Sequence, residues 1–99
     1  MANKEYIERL QMVIHQMHGS GSTHVESVPV LETFKGQTVW EGTVEVFDLA
    51  MHPKAKQCYA WSYKDDSDEH FTAVLKSPPV NSPQDAVKAA LATMIKKSR

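Results

Sequence analysis

The chain holds a single cysteine, Cys58, in 99 residues, which excludes an internal disulfide. Four glycines and five prolines place it far from collagenous and low-complexity compositions. No apolar run approaches the roughly 20 residues that a membrane-spanning helix needs, so no membrane partner is expected. Neither sign of charge is in surplus. Eleven basic residues against 12 acidic ones give a formal net charge of −1, and no global field draws the protein to nucleic acid. The opening residues MANKEYIERL lack the basic-then-apolar order of a signal peptide, and with the unpaired cysteine this makes cytoplasmic the expected localisation.

What is present is an ordinary globular composition, 41% hydrophobic and 23% charged, at a length that suits one domain over residues 1–99. From Lys4 to His18 the residues Tyr6, Ile7, Leu10, Val13, Ile14 and Met17 recur at steps of three and four, which predicts an amphipathic helix. Gly19 is placed to end it. A second helix is predicted from Ser82, a good N-cap, with Pro83 at the first helical position and Asp85 in the first turn. Its apolar stripe is Val87, Ala90, Leu91, Met94 and Ile95.

Between the helices the composition turns β-rich. Thr23–Phe34 reads as an edge strand because Pro29 has no N–H for a central ladder, and Lys35-Gly36 reads as a tight turn. From Val39 to Phe47 the residues Trp40, Gly42, Val44 and Val46 alternate with Glu41, Thr43 and Glu45, the first set expected in the core and the second in water. Gly42 suggests a bulge or a close approach by a helix. Leu49–Lys56 reads as a loop, Gln57–Tyr63 and His70–Lys76 as two further strands, and 64–69 as a polar hairpin loop. The expected fold class is α+β: a two-layer α-β-β-β-β-α domain, a four-stranded antiparallel meander with both helices on one face.

Strand Gln57–Tyr63 carries small Cys58, Ala60 and Ser62 on one face and Tyr59, Trp61 and Tyr63 on the other. Either face could join the helices. If the aromatic row is left on an uncovered sheet face, it is the kind of surface that partners cover, and a homodimer centred on Trp61 is expected, with Glu41, Thr43 and Glu45 nearer the rim. His52 and Lys54, in the loop beside it, complete the candidate binding residues. The expected function is therefore a small interaction module and not an enzyme, binding a second copy of itself or a protein partner and using no cofactor. A second reading is a nucleic-acid-binding domain using Lys54, Lys56 and the Lys96, Lys97 and Arg99 end with the aromatic row. A third is a small enzyme built on His52 and Cys58, which needs a thiol of lowered pKa and a positioned base. His15, His18 and His24 fall short of a zinc pattern, and Asp65, Asp66, Asp68 and Glu69 lack the glycine and final glutamate of a calcium loop, so no metal is expected.

The α-first, sheet-centred, α-last order resembles the double-stranded-RNA-binding domain, although that family has three strands and opens its second helix with lysines where this chain has Ser82-Pro83-Gln84-Asp85. No RNA-binding residue carries over. The run WEGTVEVFDLAMHPKAKQCYAWS resembles a family of small uncharacterised bacterial proteins, a resemblance that implies no function.

Overall fold

Residues 4–65 and 68–97 are described by a computed structural model, with side chains for residues 4–63 and 68–93. The predicted elements are present in the predicted order: α1 (Lys4–His18), β1 (Ser22–Phe34), β2 (Gln37–Leu49), β3 (Gln57–Asp65), β4 (Asp68–Leu75) and α2 (Pro83–Lys97). The strands form one antiparallel sheet in the order β1-β2-β3-β4, so the fold is α+β with a meander sheet. β1, with Pro29, is an edge as expected.

Local chemistry accounts for the boundaries. Gly19 ends α1 in the left-handed region at φ 68°, its N–H donating to the His15 carbonyl at 2.8 Å. Lys35 and Gly36 both take positive φ, 53° and 79°, matching the turn to the right-handed twist of the β1–β2 hairpin. At α2 the Ser82 hydroxyl accepts the Asp85 N–H at 3.1 Å, and the Asp85 carboxylate accepts the Asn81 N–H at 3.1 Å. β3 and β4 are longer than predicted and pair out to Asp65 and Asp68, which shortens the expected hairpin loop. Asp66 and Ser67 lie outside the described residues.

The helices do not share a face. Successive side chains of a strand point to opposite sides of its sheet, and the registers line up Phe47, Cys58 and Leu75 in one row and Val46, Tyr59 and Val74 in the next. The first row belongs to a core closed by Leu10 and Ile14 of α1, with Ala60 and Ala73. The second belongs to a core closed by Ala86 and Val87 of α2, with Val30, Val44 and Trp61. The two-layer expectation is therefore corrected to a sheet between one helix on each side. The physical cause lies in β3, where both alternating sets are apolar and each needs a cover.

Two further expectations fail on β2. Glu45 does not face water: it is 1% exposed, on the α1 side, where its carboxylate accepts from His24 Nε2 at 2.8 Å and from the Ser27 hydroxyl. Those two donors from β1 let a carboxylate sit inside. The neighbour of Gly42 is not a helix but the Trp40 indole two residues back on the same strand, which would stand 3.1 Å from a Cβ placed there. Without a side chain at 42 the indole lies along its own strand.

A helix side chain reaches each sheet edge. His18 Nε2 donates to the carbonyl of Ala73 on β4 at 2.9 Å, and Gln84 Nε2 of α2 donates to the carbonyl of Leu31 on β1 at 2.9 Å. No described helix is long and apolar enough to cross a membrane.

Leu10 is fully buried in the α1 core, so Leu10→Ala should cost about 2 to 5 kcal/mol in denaturant unfolding. A loss below about 1 kcal/mol would contradict the packing of α1 on the sheet.

Candidate functional site

β2 and β3 share only the pairs from Glu45–Ala60 to Asp48–Gln57, whereas β1 and β2 pair along almost their whole length. Towards its turn the β1–β2 hairpin therefore parts from β3, and α2 only partly fills the gap on its side of the sheet. The result is a groove of about 600 Å³, within the size range of ligand and side-chain pockets. Trp61 and Val87, both buried, form its floor, and the more exposed Trp40, Val39, Tyr63 and Leu91 stand around it.

The indoles set its shape. Trp40 meets Trp61 edge-to-face at 5.8 Å between centroids and 67° between planes, the arrangement that ring quadrupoles favour. Tyr63 stacks on His70 at 5.1 Å. Trp61 is 2% exposed, while Trp40, Tyr63 and Leu91 are half-buried, so the groove has a closed floor and an open mouth. Val39, 46% exposed, belongs both to the groove and to the outer surface of the hairpin, where Leu31 and Phe34 are 52% and 64% exposed. The Lys35 ammonium lies 5.5 Å from the Phe34 ring centroid.

The predicted aromatic row is thus partly displaced. Tyr59 and Trp61 are core residues under α2, not the centre of an open sheet face, because the aromatic side of β3 found a helix of its own. Only Tyr63 keeps a half-exposed position. Burial pushes the Tyr59 phenol above its usual range, and the charges of Asp85 and Glu26 push the same way. Buried in this way, Tyr59 and Trp61 do not present a flat aromatic platform.

His52 and Cys58 have different surroundings. The His52 ring is turned back into its own loop, where Nδ1 accepts the N–H groups of Lys54 and Ala55 at 3.0 and 3.2 Å. Cys58 is fully buried in the α1 core, and burial raises its thiol pKa to about 12, the reverse of what a nucleophile needs. Of the other histidines, His18 bonds Ala73 and meets the His52 ring edge-on at 6.3 Å between centroids, His24 bonds Glu45, His70 stacks on Tyr63 and His15 is exposed. No group of three or more histidine, cysteine, aspartate or glutamate residues is placed to hold a metal ion among the described residues. The side chains of Lys96 and Lys97, and Arg99, lie outside the described residues.

Sequence reasoning found Trp61 and Tyr63 but missed Trp40, Val39 and Leu91 as their partners. The signal for Trp40 was Gly42, two residues on and on the same side. Comparison with family models, curated proteins and solved structures finds no match for this chain.

Two outcomes follow from this burial. Trp61→Ala, which empties the floor of the groove, should cost about 3 to 5 kcal/mol and not merely loosen an association; unchanged unfolding would return the residue to the surface. Cys58 should resist alkylation at neutral pH in the native protein and react at once when unfolded. Its native pKa lies above the unfolded value, so the stability it contributes is complete below about pH 9 and is lost as pH rises towards about 12. Stability that holds constant across that window, or rapid native alkylation, would contradict the assignment.

Proposed function

We propose that the protein is a small interaction module that pairs with a second copy of itself through the tryptophan groove and the tip of the β1–β2 hairpin. The observation that carries this reading is the continuity of the two: Val39 belongs to both, and Phe34, the most exposed aromatic side chain near it, stands beside the turn. Contact between two copies at a two-fold axis is reciprocal, so each partner offers the same projection and the same recess. With the axis beside Val39, each Phe34 enters the other copy's groove and rests against Trp40 and Leu91. Aromatic anchors seated in a dry pocket carry most of the binding energy in such contacts.

This moves the interface from the middle of the sheet to its end. Tyr59 holds the fold together, Trp61 is the floor on which the partner's side chain rests, and Tyr63 borders the mouth. His52 and Lys54 lie at the other end of β2, away from the contact. The open stretch of hairpin beyond α1, with Leu31 and Thr43 exposed, would form its outer margin.

Sedimentation across a concentration series checks the proposal. A monomer–dimer equilibrium is expected, and Phe34→Glu should move it to monomer while leaving far-ultraviolet circular dichroism unchanged, because Phe34 makes no core contact. Both tryptophans of the chain line the groove, so dissociation should also shift their emission to longer wavelength. A monomer at millimolar concentration, or a dimer indifferent to Phe34→Glu, would overturn it.

A further inference from the structure

At the far end of β2, the loop at 50–56 and the connection from β4 to α2 enclose a second cleft of about 630 Å³, and its chemistry is the opposite of the groove's. Three lysines from two connections line it: Lys54 and Lys56 from the loop, Lys76 from the residue that follows β4. All three are exposed, and no carboxylate of the described residues lies within ion-pairing distance of any of them. One carboxylate, that of Asp48, lines the same cleft, and its Oδ1 already accepts the Gln57 side-chain N–H at 2.9 Å. Three ammonium groups against one carboxylate leave an excess of two positive charges in a protein whose overall formal charge is −1.

Hydrogen bonds fix the backbone that carries those charges. His52 Nδ1 gathers the Lys54 and Ala55 N–H groups, the Lys56 carbonyl accepts the Leu49 N–H at 2.8 Å, and Ala55 is buried between the two lysines, so both flanking side chains point outward together. Lys76 is held beside them, its N–H donating to the Gln57 carbonyl at 2.9 Å and its ammonium 3.5 Å from Gln57 Oε1. Like charges gathered this way repel one another, and an anion that bridges them relieves the repulsion. The Asn81 side-chain amide, which directs one N–H to the Pro79 carbonyl at 3.4 Å, has a second N–H to add as a neutral donor.

We propose that this cleft binds a small anion carrying two or more phosphate groups. One phosphate satisfies Lys54 and Lys56, the next reaches Lys76 and Asn81, and the charge excess matches a polyphosphate better than a monoanion. The site is independent of the dimer contact, which lies at the other end of the sheet.

The full chain, isotope-labelled, is titrated with inorganic tripolyphosphate and followed by amide chemical shifts. Saturable changes are expected at Lys54, Ala55, Lys56, Lys76 and Asn81, weakening as salt is added because the contacts are ionic. The double variant Lys54→Gln/Lys56→Gln should bind about tenfold more weakly, with an unaltered spectrum elsewhere, since both side chains are exposed. The Phe34→Glu variant should bind as the parent does, whatever its oligomeric state. Shifts of equal size at the unrelated Lys4 and Lys88, or an affinity that the double variant does not change, would overturn the proposal. So would tighter, Lys54- and Lys56-dependent binding of a short duplex RNA at equal phosphate concentration, which would make the cleft a nucleic-acid contact.

Discussion

The whole structure depends on β3 being apolar on both faces. A strand of an antiparallel sheet usually buries one side and wets the other, but Cys58 and Ala60 alternate here with Tyr59 and Trp61, all within a few per cent of full burial. Two helices on one side would leave one of these sets in water. One helix on each side buries both, and the chain supplies one before the sheet and one after it. The difference in side-chain size is then accommodated: small Cys58, Ala60 and Ala73 let α1 sit close with Leu10 and Ile14, while the large aromatic set meets α2 through small Ala86 and Ala90.

That arrangement also explains where the surface is left open. One helix per face cannot cover a hairpin of two 13-residue strands, so the distal part of β1 and β2 is only partly packed on the α2 side and is exposed at Leu31, Glu41 and Thr43 on the α1 side. Near the middle of the hairpin the transition is handled by Glu45, whose buried carboxylate ties His24 and Ser27 of β1 to β2 at the margin of the α1 core. A carboxylate with two donors specifies register in a way an aliphatic side chain would not. Beyond it the hairpin leaves β3, and Trp40 lies over Gly42 to close on Trp61. The groove results from a sheet that splays faster than a helix can follow.

The two proposed surfaces divide along β2. At its start lie the apolar groove and Phe34, and at its end lies the lysine cleft, so one strand joins a contact suited to an apolar side chain with one suited to anions. Several reactive groups among the described residues are meanwhile engaged in the fold. The thiol of Cys58 is held protonated in the core, and the imidazoles of His18, His24 and His52 are engaged with a carbonyl, a carboxylate and two amides.

The sequence by itself determined the elements, their order and the sheet. Helical periodicity, the Gly19 and Ser82 ends, the turn at Lys35-Gly36 and the edge position of Pro29 are local effects, set within a few residues of where they act, and each was legible without a structure. Of the site, the aromatic alternation of β3 and the grouping of Lys54 and Lys56 could be read. The side of the sheet each helix takes could not be, because periodicity marks an apolar face without saying which other face it meets. For the same reason Glu45 read as a surface residue, since the partners that make its burial tolerable come from β1, about twenty residues away. Which residues join Trp61 in the groove, and that Lys76 stands beside Lys54 and Lys56, are likewise consequences of long-range packing. They depend on where the chain returns to itself, and only the tertiary structure decides that.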